Sequence, residues 1–112
     1  MDMFSALADP TRRSIVELLA ASGQLSATDI SDKFEMSAPA ISQHLKVLRE
    51  AKLVDMEKHA QQRIYQINPD TLDELDEWVT KLSKQWDARF DRLEKLLKTQ
   101  KIKQRRLYAR SK

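Results

Sequence analysis

The sequence predicts a mainly α-helical domain that carries one β-hairpin. Its 112 residues suit one compact domain with a single core. Apolar residues recur every three or four positions along most of the chain, which is the spacing of helices, but they alternate singly between residues 53 and 67. Each of the three prolines follows a good helix-capping residue by one or two positions, where proline is tolerated at a helix start.

The first long helix is predicted between residues 10 and 22. Asp9 caps its start, Pro10 fits its first position, and Gly23 supplies the left-handed residue that ends many helices. Its apolar face consists of Ile15, Leu18 and Leu19, and a preceding turn or short helix adds Phe4 and Leu7.

A short helix is predicted after Ser26, because Asp29 follows three positions later in the spacing of a capping box. We expect this helix to bury Ile30 and Phe34, which are four residues apart, and to end near residue 36.

Ser37 then caps another helix, which runs to about Ala51. The helical spacing divides its residues between two faces. The inward face holds Ile41, Leu45 and Leu48, and the outward face holds Pro39, Ser42, Gln43, Lys46 and Arg49.

The alternating region predicts two strands, at residues 53–58 and 63–67. The turn between them, at residues 59–62, contains neither glycine nor asparagine, the residues that favour tight hairpin turns.

A long amphipathic helix is predicted from Pro69 to Lys98, with Asn68 as its cap. Thirty residues at 1.5 Å each give a length of about 45 Å. Its apolar residues fall in one band roughly 120° wide. Because a small domain cannot bury a band of this length, we expect a second copy of the chain to cover much of it. We call these ten residues the apolar stripe: Leu72, Leu75, Trp78, Val79, Leu82, Trp86, Phe90, Leu93, Leu96 and Leu97.

Composition excludes several classes of function. The chain has no cysteine, which rules out disulfides, thiolate metal sites and cysteine catalysis. It has neither a long apolar run nor a signal-peptide pattern, so we expect a cytoplasmic protein. The net charge of +3 arises from residues 98–112, which hold seven bases and no acid. We expect a domain at residues 1–98 followed by a flexible basic tail at residues 99–112.

A short helix, a brief break and a second helix with a polar outer face form the helix-turn-helix arrangement, whose second helix enters the DNA major groove. Small residues at its start permit close approach to the phosphates, and polar side chains one turn later suit base edges. The hairpin adds a wing with bases for the backbone. The expected DNA contacts are Ser37, Ala38, Pro39, Ser42, Gln43, His44, Lys46 and Arg49 on the helix, and Lys58, His59 and Arg63 on the wing.

The segments from Asp9 to Leu19 and from Met36 to Val54 resemble the ArsR/SmtB family of transcriptional repressors. The resemblance extends over roughly residues 3–97. It implies a homodimeric winged helix-turn-helix repressor that binds an inverted-repeat operator and dimerises through its first and last helices. The implied dimer contacts are Phe4, Leu7, Leu75, Val79, Leu82, Trp86, Phe90 and Leu93.

The sequence departs from the family pattern in three places. Lys52 stands where many members have glycine, so we expect it to adopt a left-handed conformation. The wing turn also has no glycine, which predicts a less sharp turn. Metal-sensing members carry cysteines on the short helix or His and Asp ligands on the last helix. This chain has no cysteine, and residues 69–98 contain no histidine, so we expect no metal or other cofactor.

Three alternatives stay open. His44 and His59 lack metal-ligand spacing and are interpreted as DNA-side or plain surface residues. Trp78 and Trp86 either pack in a core or line a small-molecule pocket at the dimer interface. The chain is either a DNA-binding repressor or a dimeric winged-helix module that binds protein and does not read DNA sequence. No catalytic constellation is present, so we expect no enzyme.

Overall fold

A computed structural model describes residues 1–98, with the side chains described to residue 97. The elements are α1 (Met3–Leu7), α2 (Pro10–Ser22), β1 (Gln24–Ser26), α3 (Ala27–Asp32), α4 (Ala38–Glu50), β2 (Val54–His59), β3 (Gln62–Ile67) and α5 (Pro69–Lys98). The chain divides into two compact units, of which the first comprises Met1–Asp73 and the second begins at Glu74. The predicted basic tail at residues 99–112 lies outside the described residues.

The predicted helix starts are confirmed by their caps. Asp9 Oδ2 accepts the backbone N–H of Arg12 at 3.0 Å, at the start of α2. Ser26 Oγ accepts the N–H of Asp29 at 3.0 Å, and Ser37 Oγ accepts that of Ala40 at 3.3 Å. Each bond pairs one of the backbone donors that a helix start leaves without an intrahelical acceptor.

Helix α3 ends earlier than predicted. It stops at Asp32, and the N–H of Lys33 donates to the carbonyls of Ile30 and Ser31, which closes the helix in a tightened last turn. Ile30 is fully buried as expected, whereas Phe34 lies beyond the helix and is only partly buried against the core.

The predicted hairpin is present, and its turn is tighter than expected. His59 pairs with Gln62 in the antiparallel register, so the turn comprises two residues and not the predicted four. Ala60 supplies the positive φ, at 56°, that two-residue hairpin turns require. A third strand, β1, pairs antiparallel with β3 and completes a sheet of order β1-β3-β2. At three residues, β1 is too short to show a strand period in sequence.

The core of the first unit lies between the helices and the sheet. Its largest fully buried side chains come from α2, α3, α4 and β2, and they include the predicted inward face of α4. They are Ile15, Leu19, Ile30, Ile41, Leu45, Leu48 and Val54.

The end of α4 confirms the prediction for Lys52, whose φ is 62°. The N–H of Lys52 donates to the carbonyl of Arg49 at 2.9 Å, and the N–H of Leu53 donates to that of Leu48 at 3.0 Å. These two bonds form a Schellman motif, in which the left-handed residue is usually glycine. Lys52 therefore holds a conformation that costs a residue with a side chain about 1 kcal/mol.

Candidate nucleic-acid interface

The outward face of α4 is exposed and polar. Ser42, Gln43, Lys46 and Arg49 are exposed, while Ile41, Leu45 and Leu48 on the opposite face are at most 1% exposed. The residues that begin the helix, Ser37, Ala38 and Pro39, are also exposed. The buried face anchors α4 in the core, so its polar face is presented on a rigid helix.

His44 does not share this exposure. Its side chain is 18% exposed and lies beside the start of α2. Nδ1 of the ring is 3.3 Å from Nη1 of Arg12 and 4.0 Å from Oδ2 of Asp9. The structure therefore separates His44 from Ser42 and Gln43, with which the sequence grouped it as a base-reading residue.

Arg12 and Arg13 have roles that the sequence reasoning missed. Nε of Arg12 donates to the carbonyl of Ala6 at 2.7 Å, and Nη1 of Arg13 donates to the carbonyls of Leu7 and Ala8 at 2.9 and 3.2 Å. The two arginines thus donate hydrogen bonds to carbonyl groups at the C-terminal end of α1. These carbonyls have no following helical turn whose N–H groups could donate to them. The available signal was two consecutive cations in the first turn of α2, where the helix dipole disfavours positive charge.

The carboxyl group of Asp9 belongs to the same cluster. The backbone N–H of Arg12, which donates to Oδ2, holds the pKa of Asp9 below its usual value, and the positive charge of Arg12 acts in the same direction. Asp9 is therefore ionised at neutral pH beside Arg12 and His44.

The wing carries two cations side by side. Lys58 pairs with Arg63 across β2 and β3, and both side chains are exposed. Strand alternation puts this pair on the same face as Met56 and Tyr65, which turn toward the core. Like charges directly opposite each other in a sheet are destabilising, so the pair favours a function that uses a concentrated positive charge.

His59 lies on the opposite face of the wing from Lys58 and Arg63. Its Nε2 atom is 3.1 Å from Oε2 of Glu57, two residues earlier on the same strand. The predicted wing contacts thus lie on two faces, with Lys58 and Arg63 on one and His59 on the other. His59 lies next to the carboxylate of Glu57.

The apolar stripe of α5 is largely exposed in the single chain. Leu82 is 50% exposed, Trp86 is 64% exposed and Leu93 is 46% exposed, whereas Leu75 is half-buried. The rings of Trp86 and Phe90 stack with their centroids 6.2 Å apart. Among the predicted dimer contacts on α1, Phe4 is 44% exposed and Leu7 is half-buried. A row of exposed apolar side chains along one helix, such as the stripe of α5, is typical of a protein interface.

Metal-binding and membrane-spanning features are both absent from residues 1–98. Within that range, no group of three or more His, Cys, Asp or Glu side chains is arranged to hold a metal ion. No helix within it is both long enough and apolar enough to cross a membrane.

Comparisons with known proteins agree with this geometry. The family model described as "Bacterial regulatory protein, arsR family" matches residues 9–56. The transcriptional repressor SdpR of Bacillus subtilis is 36% identical over 78 residues, which cover 70% of this chain and 86% of that protein. The arsenical resistance operon repressor of Staphylococcus xylosus is 35% identical over 75 residues, covering 67% of this chain and 71% of that protein.

A solved structure shows the same fold. The crystal structure of a possible transcriptional regulator for arsenical resistance matches with a TM-score of 0.66 and 38% identity, covering 83% of this chain and 93% of that one. The predicted winged helix-turn-helix is thereby confirmed. The chain belongs to the ArsR family, whose members are DNA-binding transcriptional regulators and not enzymes.

Proposed function

We propose that this chain is a homodimeric transcriptional repressor that binds an inverted-repeat operator. The observation that carries the proposal is the contrast between the two faces of α4, of which the apolar one is buried in the core and the polar one is exposed beside a cationic wing. In this proposal residues 1–98 form the DNA-binding and dimerisation domain, and residues 99–112 lie outside it.

The proposed roles divide the surface into base contacts and backbone contacts. Gln43 and Ser42 read base edges, because they are exposed in the first two turns of α4 and carry donors and acceptors. Lys46, Arg49, Lys58 and Arg63 contact phosphates, and Ser37, Ala38 and Pro39 permit close approach to the backbone. His59 is a weaker candidate for a phosphate contact, since it lies next to Glu57.

The proposed dimer uses the apolar stripe of α5 together with Phe4 and Leu7. The exposure of the stripe supports this assignment, because an apolar surface of this length is covered in a stable protein. Two recognition helices related by a two-fold axis then enter successive major grooves about 34 Å apart, which gives half-sites separated by about 10 base pairs.

The proposed repressor has no arsenite-binding thiolate site, although several of its relatives are named as arsenical resistance repressors. Thiolate ligation requires cysteine, and none of the 112 residues is cysteine.

Two variants test base reading against phosphate binding. Gln43→Ala should weaken binding to the operator by about 1–3 kcal/mol per half-site and change binding to random DNA little. Arg63→Ala should weaken binding to both DNAs to a similar extent. It should also lower the slope of log K against log salt by about one unit for each phosphate that the variant leaves unneutralised.

The measurement is a salt titration of both variants on both DNAs. If Gln43→Ala behaves like Arg63→Ala, the assignment of the base-reading face is wrong. If the wild-type chain shows no preference for any DNA site over competitor DNA, the proposal fails and the protein-interaction module takes its place.

A further inference from the structure

We infer that His44 acts as a positioning residue of the recognition helix α4 and not as a base-reading residue, and that Arg12 is the group that positions it. This inference rests on the proposed function, because it concerns how α4 is aligned for sequence readout. It comes from the guanidinium group of Arg12, which contacts two different helices at once.

The first contact joins α2 to α1. Nε of Arg12 donates to the carbonyl of Ala6 at 2.7 Å, and Nη2 donates to the carbonyl of Ser5 at a longer 3.5 Å. The backbone of Arg12 is itself fixed, because its N–H is the donor to the capping carboxylate of Asp9. Arg12 is thus held at two places, at its backbone N–H and at the nitrogen atoms of its guanidinium group.

The second contact joins α2 to α4. Nη1 of Arg12 lies 3.3 Å from Nδ1 of His44. A guanidinium group only donates hydrogen bonds, so Nδ1 must be the acceptor. This bond forms only in the tautomer that carries its proton on Nε2 and leaves Nδ1 free to accept. The contact therefore assigns opposite roles to the two ring nitrogens.

The location of His44 on α4 makes this contact relevant to DNA reading. His44 directly follows Ser42 and Gln43, and unlike them it faces α2. A tie at this turn adds to the buried face of α4 in setting the roll of the helix about its axis, and the roll decides where the side chain of Gln43 points. A bidentate contact between an amide and a base tolerates a displacement of only about 0.5 Å, so a small change in the roll of α4 is sufficient to break the contact of Gln43.

The same guanidinium reaches α1, which carries Phe4 and Leu7 of the proposed dimer surface. Arg12 therefore links the helix assigned to dimerisation with the helix assigned to DNA reading through direct contacts. The predicted DNA contact at His44 is replaced in this scheme by an indirect effect through Gln43.

Two amide substitutions distinguish the two roles of the ring. In His44→Asn the side-chain oxygen takes the place of Nδ1, and in His44→Gln the amide reaches the place of Nε2. If His44 positions α4 through Nδ1, then His44→Asn should keep operator affinity within about threefold of wild type. His44→Gln should lose about tenfold, the effect of removing one charge-assisted hydrogen bond. Neither variant should change affinity for random DNA.

Arg12→Lys supplies the second arm. Lysine keeps the charge but not the planar fork that reaches both the Ala6 carbonyl and His44. We expect operator affinity to fall about tenfold with random-DNA affinity unchanged. A parallel loss on both DNAs would show that Arg12 contacts phosphate, which overturns the inference.

A measurement without DNA keeps the inference separate from the proposed function. The ¹⁵N signals of the His44 ring in the free protein should show Nδ1 unprotonated, and they should shift in Arg12→Lys while the thermal unfolding transition stays cooperative. A protonated Nδ1 in the wild type at neutral pH overturns the link between Arg12 and His44. If His44→Gln keeps affinity and His44→Asn loses it, or if the two behave alike, the positioning role is wrong. A wild-type protein with no specific site refutes the proposed function instead.

Discussion

Two amphipathic helices of this protein, α4 and α5, expose opposite faces. In α4 the apolar face is buried, with Ile41, Leu45 and Leu48 at most 1% exposed, and the polar face is open. In α5 the apolar face is the open one, with Leu82 at 50% and Trp86 at 64% exposure. Both helices have the same kind of hydrophobic pattern, so pattern alone does not say which face another molecule will cover.

The difference follows from what surrounds each helix. Helix α4 lies between α3, α2 and β2 of the first unit, where the other core residues cover its apolar face. Helix α5 runs for 30 residues, which exceeds what so small a core covers. The apolar face of α4 is therefore covered within one chain and its polar face, the proposed DNA surface, stays open, whereas the apolar stripe of α5 is exposed and is the surface that the proposed dimer would cover.

The largest effect is expected where a charge enters the apolar stripe. Leu82→Glu should weaken the proposed dimer by several kcal/mol, because it puts an unpaired carboxylate in a packed apolar interface. Sedimentation equilibrium measures the dissociation constant. Thr80→Glu is the matched control, since Thr80 is exposed and lies about 160° around the helix from Leu82.

Two outcomes would remove the contrast between α4 and α5. A wild-type chain that sediments as a folded monomer at micromolar concentration would leave the exposed stripe without a reason. Equal effects of Leu82→Glu and Thr80→Glu would show that the stripe is not the interface.

A buried leucine of α4 should behave in the opposite manner. Leu48→Ala should lower the free energy of unfolding by about 2–5 kcal/mol, because the leucine side chain is fully buried within one chain and its removal leaves a cavity in the core. Denaturant unfolding at fixed protein concentration measures this loss. If the variant alters dimer dissociation and leaves the free energy of unfolding unchanged, the apolar face of α4 is not a core face of the single chain, and the contrast with α5 is wrong.

Sequence predicted the elements whose signals are local. The bounds of α2 and α4 follow from single residues, namely Asp9, Gly23 and Ser37. The left-handed Lys52 was predicted from the resemblance, because many ArsR/SmtB members have glycine at this position. Strand β1 could not be predicted in this way. Its three residues form a strand because β3 lies beside them, and that is a tertiary fact.

The candidate site was predicted as a set of residues but not as a surface. The spacing placed Ser42, Gln43, Lys46 and Arg49 on one outward face, and the exposures agree. His44 is their neighbour in sequence, yet it turns toward Arg12, 32 positions earlier. Only the packing of α2 against α4 reveals that contact, and the wing likewise separates His59 from Lys58 through strand alternation.

A smaller effect is expected at the end of α4, where Lys52 holds a φ of 62°. Lys52→Gly should raise the free energy of unfolding by less than about 1 kcal/mol, because relief of the left-handed strain exceeds the added freedom of the unfolded chain. Glu50→Gly is the control, since Glu50 is the exposed last residue of α4 and has no positive φ, so this variant should lose up to about 1 kcal/mol. Urea unfolding of both variants decides the matter, and a loss in Lys52→Gly as large as in the control would contradict the strain.

The smallest effect is expected from the way the two helix starts respond to pH. Helix α2 is capped by Asp9, which titrates, whereas α4 is capped by Ser37, which does not. The N–H of Arg12 lowers the pKa of Asp9 in the folded state, below the value of about 3.9 in the unfolded chain. Ionised Asp9 therefore contributes stability that is fully present above pH about 4 and is lost as the pH falls through the folded-state pKa. Asp9→Asn keeps a capping oxygen but removes this titration, so its stability should depend less on pH below about 4 than that of wild type. Thermal unfolding from pH 6 down to pH 3 measures the difference.

Ser37→Asp provides the converse, since a carboxylate cap on α4 should add acid sensitivity of the same sign. If Asp9→Asn follows the wild-type profile throughout, Asp9 does not carry the acid dependence, and the cap contributes through its geometry alone.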